Sequence, residues 1–109
     1  MKLIRCNAPQ QQVDDILDAL EAFEISSLTV AAGGERSRSG SSKAFYRGVE
    51  YKIRLTPTLI VDVTVPDYEA AEVVRVLEEI CATGTHPESG RILVLTVDDC
   101  HSVRARRIA

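Results

Sequence analysis

The chain has 109 residues, of which 45% are hydrophobic and 27% charged, and it carries a formal net charge of -3. That is the size and composition of one ordinary globular domain, able to bury a core without staples. The acidic balance excludes bulk electrostatic attraction to nucleic acid or anionic lipid, and no apolar run approaches the ~18 residues of a membrane span.

Positive charge is nevertheless concentrated in two places. Residues 34–52 hold Arg36, Arg38, Lys43, Arg47 and Lys52 against Glu35 and Glu50. The tail carries Arg104, Arg106 and Arg107 with no acid among them. The three cysteines, Cys6, Cys81 and Cys100, are odd in number and fit no disulfide framework, which points to a reducing compartment. Met1 to Arg5 lacks the apolar core of a signal peptide, so the expected location is cytoplasmic.

In chain order, residues 2–7 form a short first strand, ended by Pro9 at a helix start. Val13, Ile16, Leu17, Leu20 and Phe23 then recur at helical spacing, with Gln12, Asp14, Asp15, Asp18 and Glu21 on the wet side. Residues 25–32 are β-branched and small, a second strand that Gly33-Gly34 is expected to break. Residues 34–48 are Gly, Ser and Arg with almost no apolar content, too little to hold themselves rigid.

Beyond this loop, residues 49–55 alternate with period 2, and Thr56-Pro57 reads as a bend. Leu59, Val61, Val63 and Val65 alternate with Thr58, Ile60, Asp62 and Thr64, the clearest strand in the chain. Pro66 ends it and Asp67 is the expected N-cap of a second helix, whose apolar positions are Ala70, Val73, Val74, Leu77, Ile80 and Cys81. Gly84 supplies its stop. After a loop at 85–90, Arg91 to Val97 is a near-continuous apolar strand.

The order β-α-β, long loop, β-α-β, with right-handed crossovers, gives an α+β, ferredoxin-like βαββαβ sandwich with both helices on one face of an antiparallel sheet. Residues 1–109 form a single domain, with the long loop at about 34–52 and a basic tail at 98–109. Ile60, Ile92 and Val94 are expected on the second sheet face, which calls for self-association to cover it.

A loop longer than ~15 residues in a small domain is usually functional or disordered. This one ends in Tyr46-Arg47-Gly48-Val49-Glu50-Tyr51, which resembles the YRGxEY signature closing the T-loop of PII signalling proteins. Four further segments resemble that family in the same order. Leu28-Thr29-Val30 is similar to its MTV segment and Val65-Pro66-Asp67 to its VPD. Ala82-Thr83-Gly84 with Gly90-Arg91-Ile92 is similar to the TGKxGDGKIF loop, and Arg104-Ala105-Arg106 to the terminal RIR. The resemblance covers nearly the whole chain and marks it as a divergent member of the PII-like signal transduction superfamily.

The resemblance implies a homotrimer that binds ATP, ADP or AMP in clefts between subunits and docks its T-loop on a transporter or enzyme. By correspondence, Arg38, Arg91, Arg104 and Arg106 are the phosphate ligands, with Gly84 and Gly90 in the phosphate-side loop. Guanidinium forks and exposed backbone amides are what a polyphosphate requires. Thr29 and Asp62 correspond to positions near the adenosine. Tyr46, Arg47, Glu50 and Tyr51 belong to the partner-docking loop, and Tyr51 matches the position that some members uridylylate, although an unmodified tyrosine is the simpler reading.

The departures from the pattern are chemical. Ser39 replaces the glutamine that helps hold Mg²⁺ and 2-oxoglutarate, and Thr58 replaces the lysine that pairs with the 2-oxoglutarate carboxylate. Ser39 is too short and Thr58 carries no charge. A signalling protein that does not sense 2-oxoglutarate is therefore expected, with Mg²⁺ or a small anion such as bicarbonate as a possible co-ligand and Arg47 and Arg91 as candidate anion contacts. The competing reading is a trimeric metal-binding (CutA-like) protein using Cys100 and His101, with Cys6 if the strands bring it close. Two adjacent ligands are weak evidence, because cysteines are more often small buried hydrophobes. His86 and His101 lie in no nucleophile or acid-base motif, so no enzymatic activity is expected.

Overall fold

In the computed structural model, residues 1–35, 56–83 and 91–103 are described. The elements are β1 (Lys2–Ala8), a single 3-10 turn (Gln10–Gln12), α1 (Val13–Leu20), β2 (Ser27–Glu35), β3 (Thr56–Val65), α2 (Asp67–Ala82) and β4 (Arg91–Thr96). The four strands form one antiparallel sheet in the order β2-β3-β1-β4. This is the ferredoxin-like arrangement that the element order predicts.

Alternation sorts the sheet into two faces. Ile4, Cys6 and Ala8 of β1 and Val61, Val63 and Val65 of β3 are buried together with Ile16 and Leu20 of α1 and Ala70, Val73, Leu77 and Cys81 of α2. Both helices therefore cover the same face. Phe23, expected inside the first helix, lies beyond its end yet still packs on this core with Ile25.

The second strand does not stop at Gly33-Gly34. It runs to Glu35, with Gly33 opposite Thr58 and Gly34 opposite Pro57. Glycine weakens a strand without removing a ladder group, and at Gly33 its missing Cβ has a use: a Cβ there would come within 3.0 Å of Ile60 Cδ1. Pro57 sits inside β3 rather than at a bend, on the side of that strand paired only with the sheet's edge. The expected strand at 49–55 lies outside the described residues, as does the Gly84 stop.

Asp67 is not a cap but the first residue of α2; Pro66 precedes it. The Asp67 carboxylate instead accepts a 2.6 Å hydrogen bond from the amino group of Met1, which holds its pKa below the usual carboxylate range. The fourth strand ends at Thr96, and Val97 donates to the Met1 carbonyl. At the other end of α2, the Ile80 carbonyl accepts from Gln12 Nε2 at 2.9 Å and from Thr83 Oγ1 at 2.8 Å. Gln12, expected on the wet side of the first helix, is instead buried in the 3-10 turn, and this bond ties that turn to the helix end. Gln12→Ala should lower the unfolding free energy by only about 1 kcal/mol, because Thr83 still supplies that carbonyl with a donor. Urea denaturation measures the difference.

Strand register corrects one expectation about the second face. Cys6 stands opposite Ile92 and Ile4 opposite Val94, so both β4 residues lie on the helix side. Ile60, opposite Asn7, does lie on the open side. The open face takes Leu93 and Leu95 from β4 and Leu3 from β1 in place of Ile92 and Val94. Among the described residues, no helix is long and apolar enough to cross a membrane.

Candidate functional site

The open sheet face carries a row of four residues in register: Thr29 on β2, Asp62 on β3, Arg5 on β1 and Leu93 on β4. At its centre, Asp62 accepts from Arg5 Nε at 2.9 Å and from Arg5 Nη2 at 3.0 Å, a two-pronged guanidinium–carboxylate pair. The bond to Asp62 and its charge push the Arg5 pKa further up. Asp62 is the less accessible partner, its side chain 22% exposed against 46% for Arg5. Thr29 is exposed beside Asp62 on the edge strand, so the two residues matched to the adenosine region are cross-strand neighbours.

One row away, Asn7 faces the same side, between Ile60 and Arg91. Its side-chain oxygen is buried and has no hydrogen-bond partner among the described residues. Such an orphan acceptor costs free energy until something donates to it. Arg91 is exposed at the start of β4, the edge opposite Thr29. Three strand spacings separate these edges, roughly 14 Å. Thr58, expected at the position of the family's lysine, is buried at 5% exposure opposite Gly33. It brings a neutral hydroxyl to the β2 edge.

The apolar residues of this face are left uncovered. Leu93 and Leu95 are each 46% exposed. On the helix side, Leu28 and Val30 of β2 and Val94 of β4 also overhang the helices at the two sheet edges. Edge strands with exposed apolar side chains call for a partner surface.

The remaining expected site residues fall outside the described residues: Arg38, Gly84, Gly90, Arg104 and Arg106, and the loop residues Tyr46, Arg47, Glu50 and Tyr51. Cys6 does not join Cys100 and His101. Its thiol lies in the core, 3.7 Å from that of Cys81, whereas Cys100 and His101 are exposed beyond the end of β4. There the Asp99 carboxylate accepts from the Cys100 amide at 3.0 Å and shares a 2.9 Å hydrogen bond with His101 Nε2. Among the described residues, no three His, Cys, Asp or Glu side chains are grouped to hold a metal. Arg5 and Asn7 went unremarked in the sequence. The signal available for them was the alternation of residues 2–8, which puts two polar side chains on the face opposite Ile4, Cys6 and Ala8.

Comparison with known proteins bears on the whole chain. The model of the family described as nitrogen regulatory protein P-II matches residues 1–107. A nitrogen regulatory protein P-II of Rhizobium etli is 31% identical over 109 residues, covering 97% of this chain and 92% of the relative. Nitrogen regulatory protein GlnK of Escherichia coli is 29% identical over 84 residues, covering 77% of this chain and 75% of the relative. Among solved structures, a DUF3240 family protein from Shewanella baltica superposes with a TM-score of 0.71 at 16% identity, covering 94% of this chain and 96% of that one. This last likeness speaks to the fold alone.

Proposed function

This chain belongs to the nitrogen regulatory protein P-II family, a family of regulatory signalling proteins rather than enzymes, and from that membership we propose a specific way of working. Three subunits close their open sheet faces together, and an adenine nucleotide (ADP, AMP or ATP) binds in each cleft between neighbours. Thr29 and Asp62 meet the adenosine side from one subunit. Arg38, Arg91, Arg104 and Arg106, with the backbone at Gly84 and Gly90, meet the phosphates. The loop at 34–52 presents Tyr46, Arg47, Glu50 and Tyr51 to a protein target, a transporter or an enzyme, in the cytoplasm. Mg²⁺ or a small anion such as bicarbonate is the candidate co-ligand.

The observation that carries this reading is the placement of Thr29 and Arg91 on opposite edges of one sheet whose exposed face is studded with leucines. A ligand gripped by both kinds of residue is most simply held between two chains, the first giving its β2 edge and the second its β4 edge. The buried, neutral Thr58 supports loss of 2-oxoglutarate recognition, since it offers no cation to a carboxylate.

Titration calorimetry with ATP, ADP, AMP and cyclic dinucleotides, each with and without 2-oxoglutarate, tests the reading. An adenine nucleotide should bind, and 2-oxoglutarate should leave its affinity unchanged. Arg91→Ala should weaken ADP about 10- to 100-fold, the range expected for losing one charge-assisted phosphate contact. Heat from none of the nucleotides would remove nucleotide sensing as the function.

A further inference from the structure

The core holds two free thiols that packing alone does not require to meet. Cys6 on β1 and Cys81 in the last turn of α2 are both buried, and their sulfurs lie 3.7 Å apart. We propose that Cys6 and Cys81 are a reversible dithiol–disulfide pair, oxidised by a small-molecule disulfide such as oxidised glutathione, which staples the central strand to the end of the second helix.

The geometry favours closure. A disulfide needs its sulfurs about 2 Å apart, so the pair must gain less than about 2 Å, shared between two side chains. The two cysteines are 75 positions apart in sequence and are brought together only by the fold. They are not equivalent. Cys6 is fully buried under the sheet, whereas Cys81 is 8% exposed, with the exposed Ala82 and Thr83 just after it. Terminal helical turns open at low cost, so Cys81 is the thiol that an oxidant reaches first. The hydrogen bond between the thiols also divides their acidity. It favours the Cys81 thiolate against the cost of burial, and together with burial it pushes Cys6 up. The thiolate form is the attacking form.

The exchange balances without any other reagent. The Cys81 thiolate attacks one sulfur of glutathione disulfide, whose S–S bond breaks and releases one glutathione thiolate. Cys6 then gives up its proton and attacks the Cys81 sulfur of the mixed disulfide, releasing the second glutathione, which takes that proton. The first glutathione thiolate takes up a proton equivalent to the one Cys81 released to solvent on ionising, so two protein thiols are oxidised and one glutathione disulfide is reduced to two glutathione thiols. Neither step depends on nucleotide binding.

The test uses the full chain carrying Cys100→Ser, which removes the exposed thiol. The folded protein is equilibrated across ratios of reduced to oxidised glutathione, quenched, unfolded, alkylated and weighed intact. Cys6 and Cys81 should lose their alkylation together, with the mass of two hydrogens gone and no glutathione attached, and dithiothreitol should restore both. With Cys6→Ser added, Cys81 should stop at the glutathione adduct. Two fully alkylated thiols at every ratio, or a lasting glutathione adduct on Cys81 while Cys6 stays free, would overturn the proposal.

Discussion

Leu93→Glu should convert the proposed trimer to folded monomers. Leu93 sits on the open sheet face directly opposite Arg5 and is 46% exposed in the single chain. In a trimer closed through this face, each leucine leaves water, a gain of about 1.5–3 kcal/mol per side chain when fully covered. Glutamate reverses the sign, because stranding a charge at a dry contact costs several kcal/mol. Threefold symmetry repeats the loss three times. In the free chain the same glutamate stays wetted beside Arg5, so folding should survive. Sedimentation equilibrium should report the monomer mass of 12.0 kDa for the variant and three times that for the wild type. Tyr68→Glu, on the helix layer and already 73% exposed, should remain trimeric. A wild-type protein that sediments as a monomer, or a Leu93→Glu variant that sediments as a trimer, would end the assembly model.

Leu77→Ala should produce the largest loss of stability among single truncations in α2. Leu77 is 1% exposed and packs with Val73, Cys81 and the inward residues of β1 and β3. Removing its branched end leaves a cavity among strands that cannot collapse into it, at a cost of about 3 kcal/mol. For a domain of this size that lowers the melting temperature by roughly 10–20 °C. Glu78→Ala, one residue further on and exposed, should change stability by less than about 0.5 kcal/mol. Thermal melts followed by circular dichroism distinguish the two. Equal, small shifts would mean that α2 is not the lid of the core.

The parts of the fold legible in the sequence were those set by local pattern. Val61, Val63 and Val65 announce an inward face by alternation, and Val73, Leu77 and Cys81 announce a helix stripe by spacing; all six are buried. The misread parts were set by pairing across the chain. RILVLT has no alternation of its own, so only the register with Ile4 and Cys6 decides that Ile92 and Val94 face the helices. Gly33-Gly34 looks like a stop because propensity is local, whereas the ladder with Pro57 and Thr58 carries the strand past it. Asp67 has a capping residue's chemistry but spends its carboxylate on an amine 66 positions away.

The candidate site divides in the same way. Thr29 and Asp62 were picked out by likeness to a family, yet the bond that occupies Asp62 comes from Arg5, 57 positions away, which no spacing rule reveals. The Asn7 oxygen, without a partner among the described residues, is buried only once the sheet is assembled around it.

The alternation of β1 separates two kinds of tolerance to substitution within one strand. Ile4, Cys6 and Ala8 pack into the core beneath the helices, and Leu3, Arg5 and Asn7 stand on the open face, where Arg5 also holds Asp62. Neighbouring residues of one strand thus sit in different surroundings. Substitutions at Leu3 or Asn7 should alter what the open face meets while the packing of Ile4, Cys6 and Ala8 against the helices stays as it is.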